Sequence, residues 1–347
     1  MINSTRIGKQ TLVFSSRPAI LSYASVVGPK EGRGPLSEGF DMIMEDAANH
    51  ESSYEMAEYK MILDAAERCM DKAGIVKEDV DIFLGGDLLN QIISTSLTAR
   101  ALSIPLLGLY GACSTMAESL LLGSALVNAG YARKTLCTAG SHYCTAERQF
   151  RYPLEYGNQR TPAAQWTVTG AGAYILGTDA KGNAAIITHG TIGKVVDFQI
   201  TDANNMGAAM APAAADTLAT HFCDTKRMPK DYDRIFTGDL GKVGSELLRQ
   251  LMQERAYHLD KETYQDCGLL IFDPSDDVHA GASGCGCSAS VLAAHILPHV
   301  ISGEWKRVLL MATGALMSTT SSQQGESIPG IAHAVVIEHA GEDGKEL

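Results

Sequence analysis

The chain has 347 residues, 45% hydrophobic and 20% charged, with 28 Lys and Arg against 40 Asp and Glu for a formal charge of −12. Such a composition fills one or two ordinary cores and excludes a disordered chain, while the negative balance excludes bulk attraction to nucleic acid or to an anionic membrane. A small anionic ligand therefore needs a local basic pocket.

The opening stretch MINSTRIGKQTLVF has scattered charges and no apolar run ahead of a small-residue cleavage site, so no signal peptide is expected. The longest apolar stretches, such as VLLMATGALM at 308–317, fall short of the ~20 residues of a membrane helix, so any membrane association is expected to be peripheral. Eight irregularly spaced cysteines read as reduced thiols. Cys285 and Cys287 form a C-x-C with no second paired set, which does not make a zinc site. No metal and no cofactor is expected.

In chain order, MAEYKMILDAAERCMDKAG (56–74) carries Met56, Met61, Ile62, Ala65 and Met70 near helical spacing and ends on Gly74. VDIFLGGDLL (80–89) reads as a short apolar strand and its exit loop. GACSTMAESLLLGSALVNAGYARKTLCTAG (111–140) reads as small residues with Cys-Ser, a long apolar helix, a charged turn and a strand ending in Gly. A long loop, 141–168, holds Pro153 and Pro162, and GAGAYILG (170–177) closes the half as a strand. The same order then recurs: YDRIFTGDL (232–240) parallels 80–89, CGCSASVLAAHILPHVISGEWKRVLLMATG (285–314) aligns without gaps on 111–140, and IAHAVVIEH (331–339) parallels 170–177. Cys113 falls opposite Cys287. The pattern is one duplicated α/β unit, with halves at 1–180 and 181–347 and a seam in the polar turn GTDAKGN. Packed through their central helices, two such halves give five alternating layers of helix and sheet.

Cys113 is the candidate functional residue. At the first turn of a helix it meets unpaired N–H groups and the positive end of the dipole, which suit a thiolate nucleophile or an anion held without reaction. The competing reading is a small buried hydrophobe.

A duplicated α/β unit with Cys at the head of a buried helix resembles the thiolase and ketoacyl-synthase superfamily, whose fold is the five-layered αβαβα arrangement. In its condensing enzymes of the ketoacyl-synthase III type, the cysteine works with a His from an H-Q-A-N-like motif and an Asn from a G-N-T-S-like motif. Here the first place reads TGDL, with Thr237 for the histidine, and the second reads GCGC, with Cys285 for the asparagine. Thr is no base and a thiol is a poor oxyanion donor, so the resemblance implies a pocket without catalysis, a protein that is not an enzyme.

TAERQFRYPLEYGNQRTPAAQWTVTGAGAYILG (145–177) more closely resembles the stage V sporulation protein AD family of endospore-forming bacteria, and this likeness runs from GKQTLVF (8–14) to IAHAVVIEH. It implies binding of dipicolinic acid, pyridine-2,6-dicarboxylate, during import into the developing spore. It further implies a homodimer, membrane-integral partners among the other proteins of the stage V sporulation A operon, and a peripheral place on the forespore or spore inner membrane. Arg148, Arg151 and Arg160, interleaved with Phe150, Tyr152, Tyr156 and Trp166, suit a flat dicarboxylate, through guanidinium forks and ring stacking. The same residues also read as a surface loop with Arg pairs to Glu147 and Glu155. The ligand-binding set expected is Cys113, Arg148, Arg151, Tyr152, Arg160, Trp166, Thr237 and Cys285. The rival reading is an acyltransferase or condensing enzyme that recruits His279 or His142 as its base, and a third is a structural subunit. Asp239, in TGDL, is expected to close the turn after its strand.

Overall fold

The computed structural model describes residues 6–150, 160–180 and 182–341. Ten strands among them carry the architecture. In the first half these are β1 (Ala19–Val27), β2 (Ile82–Gly86), β3 (Leu106–Gly108), β4 (Thr135–Ser141) and β5 (Gly170–Gly177). In the second they are β6 (Ala184–Thr191), β7 (Arg234–Thr237), β8 (Tyr264–Asp266), β9 (Arg307–Ala315) and β10 (Gly330–Ala340).

The first set is ordered β1-β5-β4-β2-β3, with two antiparallel pairings followed by two parallel ones. The second repeats it as β6-β10-β9-β7-β8 in the same senses. The sets join where β1 and β6 pair antiparallel, Ile20 opposite Ala185 and Ala19 opposite Ile186. The duplication legible in the sequence is thus a duplication of sheet topology.

Eight helices complete the layers: α1 (Tyr54–Ala73), α2 (Ile93–Leu102), α3 (Thr115–Asn128), α4 (Tyr143–Phe150), α5 (Met206–Thr225), α6 (Gly241–Glu254), α7 (Cys285–Val291) and α8 (Leu297–Ile301). Helix α3 packs on β2, β4 and β5 of one sheet and on β9 and β10 of the other; α7 packs on β4 and β5, and α8 on β6 and β10. These form the middle layer. An inner helix has little polar face to spare, and α3 accordingly buries Ala117, Ser119, Leu121 and Ser124 as well as Met116 and Leu120, over more than half its circumference. Helix α1, backed by α2, covers the outer face of the first sheet, and α5, backed by α6, covers that of the second. The Ser53 side chain caps α1 by accepting the Met56 N–H (3.2 Å), and Gly74 at φ +64 ends it. Strands β4 and β5 are buried along their whole length, as a sheet covered on both faces requires.

The stretch after Ser141 departs from the sequence reading. Residues 143–150 form α4 instead of loop, because Cys144 N–H finds an acceptor in His142 Nδ1 (3.1 Å) and Ala146 N–H bonds the His142 carbonyl (3.1 Å). Histidine is not a usual cap, so the start was hidden.

Candidate functional site

The site begins with a strained turn. After β3 the chain passes Gly111 and enters α3 through Ala112, whose φ of +50 lies in the left-handed region that costs an alanine about 1 kcal/mol. Neighbouring hydroxyls hold the turn: Ser114 Oγ donates to Gly111 O (2.6 Å), Thr115 Oγ1 donates to Ala112 O (2.7 Å) and accepts from Gly111 N–H (3.2 Å). From the other half β9 closes in behind, and a Cβ on Gly314 would stand 2.2 Å from Gly111 O, so only glycine fits there. The turn presents Cys113 at the head of α3, 7% exposed.

What the thiol meets comes from the second half. The loop after β7 brings Asp239 close enough for its carboxyl to act on the thiol. Asp239 is fixed by the Gly284 N–H (2.9 Å) and by Thr313 Oγ1 (2.8 Å), both donating to its carboxylate. Burial outweighs these donors and raises Asp239 to about 6. Burial, then the charges of Asp239 and Cys285, push Cys113 well above the ordinary thiol range. At neutral pH this is a thiol and not a thiolate, the opposite of an activated nucleophile.

Cys113 opens on a narrow cavity of ≈ 30 Å³, walled by Leu88, Ala146, Phe150, Met206 and Met317 with Tyr110 beside them. No Lys, Arg or His stands among the described residues that line it. Tyr110, Phe150 and Met317 are shared with an outer cleft of ≈ 330 Å³ that also takes in Asn90, Gln149 and Ser318. The inner space has room for about two waters, the outer one for a small molecule.

Of the expected site residues, Cys113 alone among the described ones lines the inner cavity. Arg148, on α4, reaches Glu55 (2.8 Å) and lies over Tyr54, half exposed. Arg160 donates to the Asp277 carbonyl (2.6 Å) and stacks 4.4 Å from the Trp166 ring, whose plane in turn lies 3.8 Å from that of Tyr143. Arg151 and Tyr152, with Tyr156 and Glu155, lie outside the described residues. Thr237 belongs to a second buried network, donating to Asp266 (2.6 Å) and sharing a hydrogen bond with Tyr264 (2.9 Å). It is the carboxyl two residues on, not Thr237, that faces the thiol. Cys285 donates its S–H to Gly140 O (2.9 Å).

The two candidate bases are otherwise engaged. His279 pairs with Asp277 (2.9 Å) on the surface. His142 donates through Nε2 to Ala47 O (2.7 Å) while its Nδ1 accepts from Cys144, and burial holds it neutral. Neither lines the cavity. Asp239 does not close the turn after its strand as expected: its carboxylate accepts from Gly284 and Thr313, while the Leu240 and Gly241 N–H groups of that turn donate to Asp266. Its proximity to Cys113 had no signal in the sequence, nor had Met206 and Met317.

The duplicated five-layer arrangement with a cysteine elbow at its centre is a thiolase-like fold. It is similar to 3-oxoacyl-(acyl-carrier-protein) synthase III from Aquifex aeolicus VF5, with 12% identity and a TM-score of 0.57 over 92% of this chain and 99% of that one. It is likewise similar to AbyA1, a tetronic acid condensing enzyme, with 17% identity and a TM-score of 0.60 over 92% and 99%. At those identities the likeness establishes the fold alone. The model of the family Stage V sporulation protein AD (SpoVAD) matches residues 8–338, and the chain belongs to that family. Stage V sporulation protein AD of Bacillus subtilis (strain 168) is 47% identical over 334 residues, 96% of this chain and 98% of that protein.

Proposed function

We propose that this sporulation protein binds dipicolinic acid in the cleft at Cys113 and supports its uptake into the developing spore, without acting on it as an enzyme. The supporting observation is the pairing of Cys113 with Asp239: the elbow of a thiolase-like nucleophile is kept, while a buried carboxyl stands where a base would activate it. An ionised Asp239 beside the sulfur repels a thiolate and keeps the proton on Cys113, and both candidate histidines are committed elsewhere. The pyridine ring would lie in the outer cleft against Phe150 and Tyr110, with one carboxylate directed at Cys113 and the methionines Met206 and Met317 yielding to widen the inner space. The arginine set expected from the sequence contributes no described residue to that inner cavity.

The chain is proposed to work as a homodimer on the inner membrane of the forespore, docked on membrane-integral products of the same operon. None of its described helices is long and apolar enough to cross a membrane, which suits a peripheral place. Equilibrium sedimentation tests the dimer.

Millimolar dipicolinate should raise the melting temperature progressively, because a ligand of the folded state alone stabilises it by mass action. An unchanged melting curve counts against the ligand. Incubation with acyl thioesters should leave the intact mass unaltered; an acyl adduct on Cys113 would instead establish the transferase reading.

A further inference from the structure

Read as a carboxylate site, the cleft poses a charge problem. Dipicolinate is a dianion at neutral pH by the ordinary behaviour of carboxylic acids, and no cation stands among the described residues of the inner wall. Behind the wall stands Asp239. The groups that face it are Cys113 at the head of α3, Thr313 on β9, the Gly284 N–H, Cys285 and Cys287 on α7, Asp266 at the end of β8 and Cys267 after it. The titratable ones are all thiols or carboxyls, so none neutralises Asp239 or a ligand beside it. An anion entering this low-dielectric space meets negative charge at short range.

The geometry also offers a resolution. Cys113 has one S–H proton, Asp239 stands close enough to act on its sulfur, and Cys113 also lines the cavity. A ligand carboxylate competes for that proton. When the S–H turns to the ligand it is not available to Asp239, which is left with the Gly284 N–H and Thr313 Oγ1 as donors and acquires a second negative charge nearby. Both changes disfavour its ionised form.

We propose that the Cys113 cleft binds its carboxylate ligand together with one proton, which passes from solvent to Asp239. The new Asp239 O–H then donates to the sulfur of Cys113 while the S–H donates to the ligand. The one bond formed is the Asp239 O–H, made with a proton taken from solvent, so one proton leaves solvent for each ligand bound. This inference rests on the cleft being the dipicolinate site, and it sets the direction of pH control: binding tightens on acidification. With Asp239 near 6 in the free protein, the dissociation constant should rise up to about tenfold for each pH unit above that value, until the liganded carboxyl also ionises. Asp239 acts through Cys113 and is a positioning residue.

Titration calorimetry of the full chain with dipicolinate near pH 7, in two buffers of different ionisation enthalpy, counts the protons. An uptake approaching one per ligand is expected, and Asp239→Asn should bind with no uptake and a dissociation constant flat in pH. Because Asn meets the Gly284 N–H with a donor of its own and risks misfolding, a second measurement uses the unmodified protein. Its infrared difference spectrum on dipicolinate binding should gain the C=O stretch of one protonated carboxylic acid, shifted by carbon-13 labelling of aspartate. Binding without proton uptake, or with a divalent cation in its place, overturns the proton inference and leaves the site reading standing. So does a carboxyl band that aspartate labelling does not move, since the proton then sits on the ligand, and so does uptake that persists in Asp239→Asn. Absence of binding across pH 6 to 8 overturns both.

Discussion

The two halves of the chain place an aspartate at the same point, two residues or fewer beyond a parallel strand, and use it differently. Asp87, after β2, accepts from Leu89 N–H (2.9 Å), Thr95 N–H (2.7 Å) and Thr95 Oγ1 (2.7 Å), all from its own loop and α2. Asp239, after β7, accepts from Gly284 and Thr313 farther along its half and meets Cys113 from the other half. One carboxylate closes a local turn; its counterpart spans the interface of the halves. Duplication supplied the same backbone twice, and the site arose where the head of one central helix met the strand-exit loop of the other half.

Replacing each aspartate breaks the comparison most sharply. Asp87→Ala leaves three buried donors unpaired and should cost about 3–5 kcal/mol of unfolding free energy in urea melts, with the Cys113 cleft lost only through loss of fold.

Asp239 gives a pH signature. It ionises at about 6 in the folded protein against 3.8 for an ordinary aspartate. Between those values the folded state holds the extra proton, so stability falls as pH rises through the window, by about 3 kcal/mol in all, and is flat above it. Asp266 and Glu31, raised by burial to about 7, act in the same direction. His189 and His333, lowered by burial to about 4, act oppositely, since their stability is lost as pH falls below the ordinary histidine value. Subtracting the Asp239→Asn curve from that of the unmodified protein isolates the term: the difference should decline between pH 4 and 6, then level. A difference that rises with pH removes the raised carboxyl.

A smaller effect tests the elbow. Gly314→Ala drives a methyl into Gly111 O and should cost about 2 kcal/mol, while displacing Cys113 enough to weaken dipicolinate binding. The smallest is expected at Arg148→Ala: its pair with Glu55 is half exposed, so stability should change by no more than about 0.5 kcal/mol, and the same variant should keep its ligand affinity. A large loss of binding there would return the arginine block to the site.

Much of the fold was legible because hydrophobic periodicity and small-residue turns recur in order. The missed strands, β1 and β6, explain the remainder. AILSYASVV and AAIITHGT are buried over most of their length, so they lack the alternation that marks a one-sided strand. Yet these two join the sheets. The site was half legible: Cys113 declared itself through the small residues before it and the apolar helix behind it. Arg148 and Arg160 suggested a ligand by residue type, but an arginine's partner depends on which helix lies opposite, and here Glu55 on α1 and Asp277 had claimed them.

By itself the sequence determined the doubled α/β unit, the address of Cys113 and the family, because periodicity, turn chemistry and motif identity are local properties of the chain. Tertiary structure alone decided that a carboxyl faces the thiol, that the described residues of the cavity wall include no cation and that both histidines are occupied. Those facts depend on long-range contacts between the halves and on burial, which sets the charge state of Asp239 and Cys113, and no spacing along the chain encodes either.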